Sequence, residues 1–488
     1  MAPKKLVLTY VDSLRTDMLR RAVEEGRAPS FGGLLERGHL VEDCVSSFPS
    51  VTPVACAEMV TGVAADRHWI SGMNWYHRLE RRYVEYGSSL EATRTVGVFR
   101  ALYDLVYNMN LAHLNPAVET LFERLGDAGL RTACTPFLIY RGRRRHPVTL
   151  EGLTRRAVET TRLKFRHHTW GPDELFYGEL YASREVPCKP TSIPGGRDGY
   201  SACCAAELVR GGDFDFLLLS LPDNDNYSHH HGPEASVESI ARADRCFAKL
   251  VEAGGGMDAF LTDHAVILVA DHAQTPVSRG LPLAELLGRE WNVLAPSEDR
   301  PEPAQLAVSP TGRAAHVYLL PGEGERADPD EVRQRLVDTE GIDLVCWLDG
   351  RFAVVARGEA RLKFHPGGPV IDERAVRWQL DGDSDALAGS VEDDTFCSNE
   401  YPDALFRMYA ALTAPQAGDF IVSLSLGYEA VDWGGVSHAG GGSHGSLHVG
   451  DSLGPLLFVG CGPEDPGERP QWALRDVAPV VLRHFGVG

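Results

Sequence analysis

No stretch of this 488-residue chain approaches the roughly 20 consecutive apolar residues that a membrane-spanning helix requires. The N-terminal apolar run is only Leu6 to Val11, interrupted by Thr9 and ended by Asp12. It is too short for a secretory leader and no small-residue cleavage site follows it, so it reads as a first β-strand. The ten cysteines contain no C-x-x-C pair, which argues against a thiolate zinc ribbon or a thioredoxin-like motif. Scattered as they are, they read as reduced, mostly buried thiols of a cytoplasmic protein. Lysine is scarce, and positive charge as a whole is short: 48 Lys plus Arg face 68 Asp plus Glu, a formal net charge of −20. That balance excludes a nucleic-acid coat and a binder of anionic membranes, both of which need positive charge. It also sits awkwardly with an anionic substrate. Internal repeats, heptads and long low-complexity tracts are absent too. The glycine-rich piece Ala439 to Ser443 is a loop.

What remains is ordinary for a globular protein: 43% apolar and 24% charged residues, in a chain long enough for one large domain and a smaller one. Several short apolar runs end abruptly in an acidic residue. Leu6 to Val11 runs into Asp12, Phe214 to Leu221 into Asp223 and Asp225, and Ala265 to Ala270 into Asp271. Their composition is continuous rather than alternating, as in strands covered on both faces. Helical patterns lie between and beyond them, at Pro29 to Arg37, Ala117 to Ala128, Pro233 to Glu252 and Tyr401 to Leu412. The expectation is an α/β fold with a mostly parallel central sheet flanked by helices. Ligands of such folds bind beyond the carboxyl ends of the strands, where these three acidic ends converge. Residues 285–400 differ, with prolines at 301, 303, 310, 321 and 329 and short strand-like pieces at His316 to Leu320, Leu344 to Leu348 and Phe352 to Ala356. They read as a small α+β insertion into a main domain formed by 1–284 and 401–488.

Four segments hold the chemistry. The first is Asp12. The second is Phe48-Pro49-Ser50-Val51-Thr52-Pro53, opening a small-residue helix, with Gly72-Met73-Asn74-Trp75 soon after. The third is Asp225-Asn226-Tyr227-Ser228-His229-His230-His231-Gly232-Pro233. The fourth is Asp271-His272, completed downstream by Ser443-His444-Gly445. Asp and His without Cys is the ligand chemistry of a catalytic Zn²⁺ or Mn²⁺ site. Asp225 and His229, four apart in a loop leading into a helix, can face one ion. Carboxylates from three strand ends plus three histidines suffice for two metals, which together can grip the attacking and leaving oxygens of a displacement at phosphorus. A threonine at a helix start, as Thr52 is, lies at the positive end of the helix dipole. Metal coordination can activate its hydroxyl as a nucleophile. Asn74 is a neutral donor suited to a phosphoryl oxygen.

In order and spacing these segments resemble the alkaline phosphatase superfamily, specifically its nucleotide pyrophosphatase/phosphodiesterase (type I phosphodiesterase) branch. The resemblance runs from residue 5 to about 275 and from about 400 to 460. It implies an alkaline phosphatase-like fold and two divalent metal ions, Zn²⁺ first and Mn²⁺ as the alternative. One ion would be held by Asp12, Thr52, Asp271 and His272, the other by Asp225, His229 and His444. It further implies Thr52 as the nucleophile that forms a covalent phosphoryl- or nucleotidyl-threonine intermediate. Asn74 and a backbone N–H near Val51 to Pro53 would hold the phosphoryl oxygens. The third segment leaves alternative pairings open, Asp223 with His229 or Asp225 with His230.

The expected reaction is cleavage of phosphodiester or nucleotide pyrophosphate bonds in a small anionic phosphate-containing substrate. Phosphomonoester hydrolysis, phosphonoacetate-type C–P cleavage and a metal-binding pseudo-enzyme are the alternatives. Arylsulfatase chemistry is disfavoured because position 52 is Thr, and phosphoethanolamine transfer because no membrane span is found. His230, His231, His438 and His448 read as solvent-facing or as partners behind the ligands. Arg67-His68 reads as part of a loop near the site, or as structural. Arg141 to Arg145 reads as a solvated loop, the alternative being a lip that greets an anion. The charge objection also weakens. Three carboxylates against two divalent cations leave the proposed cleft net positive, so the bare count does not describe the local field.

Overall fold

The computed structural model describes residues 3–148, 168–298, 301–322 and 326–488. Its centre is an eight-stranded sheet in the order His39–Val45, Leu453–Val459, His264–Val269, Lys5–Val11, Phe216–Leu221, Thr132–Cys134, Glu174–Tyr177, Tyr181–Ala182. The five strands from His264–Val269 to Glu174–Tyr177 pair in parallel, and Leu453–Val459 is antiparallel to both its neighbours. This is the α/β architecture expected, with the three acid-ended strands side by side at its middle.

Two-sided burial explains the continuous apolar runs. Along Lys5–Val11, Leu6, Leu8 and Tyr10 pack into the core that contains helix Thr52–Thr61. Val7 and Val11 pack on the opposite face with helices Arg197–Gly211 and Val237–Ala253. Polar residues at either set would be buried without partners, so neither face can alternate.

A second, nine-stranded sheet runs Leu306–Thr311, Ala314–Leu319, Phe420–Leu424, Ile342–Asp349, Phe352–Arg357, Ala360–Asp372, Thr395–Ser398, Gly389–Glu392, with Arg377–Gly382 beside Ala360–Asp372. Its hairpins are antiparallel, and helix Pro329–Val337 packs on Ile342–Asp349. The sheet reaches beyond residues 285–400, because Phe420–Leu424 lies between Ala314–Leu319 and Ile342–Asp349.

Two expectations are corrected here. Cys188 and Cys203 are joined in a disulfide, so the cysteines are not all reduced; the other eight are free. Arg141 is not on a solvated loop. It is 8% exposed, and its guanidinium meets Glu123 and the carbonyls of Leu114, Asn115 and Val118, while Arg143 pairs with Glu119, Glu123 and Asp127. His68 ends the short helix Ala65–His68, fully buried, with Nδ1 accepting from Ile70 N–H. Among the described residues no helix is long and apolar enough to cross a membrane.

Candidate active site

Each expected segment begins where a strand of the central sheet ends. Asp12 follows Lys5–Val11, and Asp271-His272 follows His264–Val269. Phe216–Leu221 leads through Pro222 straight into helix Asp223–His231, so Asp225 and His229 lie on a helix, not in a loop. Their four-residue spacing puts both on one face. Thr52 is the first residue of Thr52–Thr61, with Pro53 second and Val51 as a cap whose side chain bonds nothing.

These residues converge into one cluster, buried except for the half-buried Asp225 and His229. Asp12, Asp271 and His272 form one group of close donor atoms, and Asp225, His272 and His444 another, so His272 belongs to both. His272 Nε2 stands 3.2 Å from Asp271 Oδ2, 3.9 Å from Asp12 Oδ1 and 3.3 Å from Thr52 Oγ1. Asp225 Oδ1 stands 3.3 Å from His229 Nε2 and 3.5 Å from His444 Nε2. The His272 and His444 rings stack at 3.7 Å. Thr52 is 9% exposed and the histidines at 272 and 444 are buried.

The histidine hydrogen bonds set the chemistry. Each Nδ1 faces a backbone carbonyl: His229 that of Gly442 at 2.7 Å, His272 that of Ala273 at 3.2 Å, and His444 that of Ser50 at 2.8 Å. A carbonyl only accepts, so the proton is assigned to Nδ1 in each ring and the Nε2 lone pair is left facing carboxylate oxygens. Lone pairs of imidazole and carboxylate repel unless a cation or a proton lies between them. The donor set therefore fits divalent cations, in the geometry in which a backbone acceptor orients a ligating histidine. Asp12 Oδ1 agrees, being buried with no hydrogen-bond partner.

Electrostatics point the same way. Burial, then the carboxylates of Asp271 and Asp225, push Asp12 well above the usual carboxylate range. Burial raises Asp271 to about 6. Burial opposes ionisation of Asp225 as well, but His229, His444 and His272 hold it well below its ordinary value. Burial lowers His272 to about 4, and burial with the neighbouring His272 lowers His444 to about 3. His229 resists burial and rises to about 9 against Asp225. A proton and a divalent cation compete for that one lone pair.

The alternative pairings separate clearly. Asp223 accepts from Arg197 Nε at 2.9 Å and from the N–H groups of Gly195 and Asp198, outside the cluster. His230 and His231 bond back along their own helix to Asn226 O and Tyr227 O. His438 stacks on His229 at 4.0 Å and bonds Glu429 at 2.8 Å, as a partner behind the cluster. His448 caps helix Val449–Ser452.

Asn74 makes no hydrogen bond to the cluster. It is fully buried, and neither its amide nitrogen nor its oxygen has a partner. Of the backbone donors at Val51 to Pro53, proline has none and Val51 N–H is bonded to Pro49 O, which leaves that of Thr52.

Several neighbours escaped the sequence reading. Tyr10 OH donates to Asp271 Oδ2 at 3.0 Å, and Ser13 and Gln274 both contact Asp225. Only adjacency to Asp12 and His272 could have drawn attention to Ser13 and Gln274. The tip of hairpin Leu306–Leu319 also reaches the site. Thr311 Oγ1 accepts from Met73 N–H at 3.1 Å, beside Asn74, and Arg313 N–H donates to His444 O at 2.6 Å. The approach is too close for side chains. A Cβ on Gly312 would lie 2.2 Å from His444 O, and one on Gly445 2.6 Å from Thr311 O.

The sequence matches the family described as type I phosphodiesterase/nucleotide pyrophosphatase over residues 6–446. No curated protein matches in sequence. Among solved structures, the chain resembles phosphonoacetate hydrolase from Sinorhizobium meliloti 1021 in complex with phosphonoformate at 17% identity and a TM-score of 0.55, covering 99% of this chain and 96% of that one. It resembles murine ectonucleotide pyrophosphatase/phosphodiesterase 5 at 12% identity and a TM-score of 0.56, with the same coverage. At these identities the likeness establishes the alkaline phosphatase-like fold.

Proposed function

The chain belongs to the type I phosphodiesterase/nucleotide pyrophosphatase family of phosphoryl hydrolases, and on that premise we propose that it cleaves phosphodiester or nucleotide pyrophosphate bonds through a covalent intermediate on Thr52. One observation supports this most. Three histidine Nε2 lone pairs and three carboxylates meet in a largely buried cluster, with the Thr52 hydroxyl 3.3 Å from one of those nitrogens.

Two divalent cations, Zn²⁺ with Mn²⁺ as the alternative, would be held by Asp12, Thr52, Asp271 and His272 and by Asp225, His229 and His444; bound there, they would lower the threonine pKa and neutralise phosphoryl charge. Thr52 Oγ attacks phosphorus, its proton passing to solvent, and the leaving group departs opposite with its bonding electron pair. The Asn74 amide, otherwise unbonded, and Thr52 N–H hold the non-bridging oxygens. Water then hydrolyses the resulting threonine phosphodiester, releasing the phosphomonoester that kept its other substituent and restoring the Thr52 hydroxyl. The described part of residues 285–400, with Phe420–Leu424, is the cap in this reading, and its Thr311–Arg313 tip meets the centre. As for compartment, the eight free thiols favour the cytoplasm while the Cys188–Cys203 bond favours an oxidising space, and fractionation distinguishes them.

The test compares turnover of bis-p-nitrophenyl phosphate, p-nitrophenyl phosphate, a dinucleotide and phosphonoacetate by zinc-restored protein. Diester or dinucleotide turnover should lead, and Thr52→Ala should lower it by at least about 10³-fold. A dominant monoester or phosphonoacetate rate would select the other hydrolase. No turnover of any substrate would favour a metal-binding pseudo-enzyme.

A further inference from the structure

Ser13 is one of the few non-glycine residues with left-handed backbone, at φ 56, and it sits directly after the ligand-type Asp12. That conformation costs a serine energy that glycine would not incur. The residue is 3% exposed and its hydroxyl is fully engaged. Oγ lies 2.7 Å from Asp225 Oδ1 and 3.2 Å from His272 Nδ1. Gln274, 1% exposed, places Nε2 at 2.6 Å from Asp225 Oδ1 and 3.1 Å from Ser13 Oγ. Ser13 N–H meanwhile donates to Asp271 Oδ1 at 3.1 Å.

Only one proton arrangement satisfies these contacts. His272 presents its Nε2 lone pair toward Asp12, Asp271 and Thr52, so Nδ1 carries the hydrogen and shares it between Ala273 O and Ser13 Oγ. The serine hydrogen then goes to Asp225, a carboxylate that can only accept. Gln274 supplies further N–H donors to the same two oxygens. One hydroxyl thus fixes the tautomer of a histidine in one half of the cluster and the orientation of a carboxylate in the other.

We infer that Ser13, braced by Gln274, is a positioning residue that couples the two halves of the metal centre, linking His272 to Asp225 so that the two cation sites assemble together. This rests on the two-metal reading above. Partners of this kind typically change metal affinity by about 10–100-fold.

Ser13→Gly removes the hydroxyl while suiting the backbone, and the relieved left-handed strain offsets the lost buried hydrogen bonds, so the metal-free melting temperature should change little. The experiment titrates metal-free protein with Zn²⁺ against a chromophoric chelator and records the melting temperature of each metal-free variant. Expected are two ions bound by wild type, a roughly 10–100-fold weaker affinity for at least one of them in Ser13→Gly with little change in metal-free melting temperature, and a smaller change in the same direction in Gln274→Leu. Wild-type affinities in Ser13→Gly would overturn the inference and leave the two-metal reading standing. A lowered metal-free melting temperature that accounts for the weaker binding would also overturn it, by making Ser13 merely structural. Wild-type protein that takes up no divalent ion would overturn the two-metal reading and this inference with it.

Discussion

Arg313 joins the hairpin tip to the centre, and removing it should cost both stability and turnover. The side chain is fully buried. It pairs with Asp451 at 2.7 Å, reaches the Thr275 hydroxyl, and donates to Tyr428 O at 3.1 Å and Leu424 O at 3.2 Å. Arg313→Met fills similar volume but strands the buried Asp451 carboxylate. Breaking a buried pair in this way costs about 3–5 kcal/mol. With an unfolding entropy of roughly 2.1 cal/mol/K per residue, a chain of this length shifts its melting temperature by about 1 °C per kcal/mol, so a fall of about 3–5 °C is expected. Adding Asp451→Asn removes the stranded charge while keeping an acceptor for Ser446, whose N–H and hydroxyl bond the Asp451 carboxylate at 3.0 and 2.6 Å. The double variant should recover at least about 1 °C. Turnover should fall in the single variant, because Asp451 O accepts Ala273 N–H at 2.9 Å, next to His272. A single variant melting within about 1 °C of wild type, or a double variant worse than the single, would refute the reasoning.

Chelation with EDTA should abolish turnover without changing the far-UV circular dichroism, since the cores on both faces of the sheet are apolar; added Zn²⁺ should restore activity, and unfolding on chelation would count against a catalytic role. Burial raises Glu58 to about 7, so between about pH 4.5 and 7 the native state holds a proton that the unfolded state has released, and stability declines as pH rises across that window. Glu58→Gln should flatten the decline, by about 3 kcal/mol at pH 8, and denaturant midpoints at pH 5 and pH 8 that fall in parallel for both proteins would contradict it. Alkylation of the unreduced, denatured chain should tag eight thiols; tagging of all ten would exclude the Cys188–Cys203 bond, whose 15-residue loop should contribute about 3 kcal/mol.

The parts legible in the sequence were those written along one dimension. A strand buried on both faces is a continuous apolar run, and its acidic terminus marks where the chain turns toward the site, as at Asp12 and Asp271. Helix Asp223–His231 was not legible as a helix because it has almost no apolar face: only Asn224 and Ser228 are buried, so no 3.6-residue period exists to read. Pairings were hidden for a different reason. The Cys188–Cys203 bond, the insertion of Phe420–Leu424 into the second sheet, and the contacts of Ser13 with Asp225 and His272 all join residues whose relation exists only in space. The same holds for the cap. Composition suggested a small α+β insertion set apart from the main domain. Yet Gly312 and Gly445 let two backbones approach closer than any side chain allows, Arg313 N–H bonds His444 O, and Thr311 bonds the residue before Asn74. A segment that holds the backbone of one proposed site residue, His444, and of Met73 beside another cannot be a detachable lid. Its deletion should disorder His444 and Asn74, whereas trimming its far edge at Gly389–Glu392 should spare the centre.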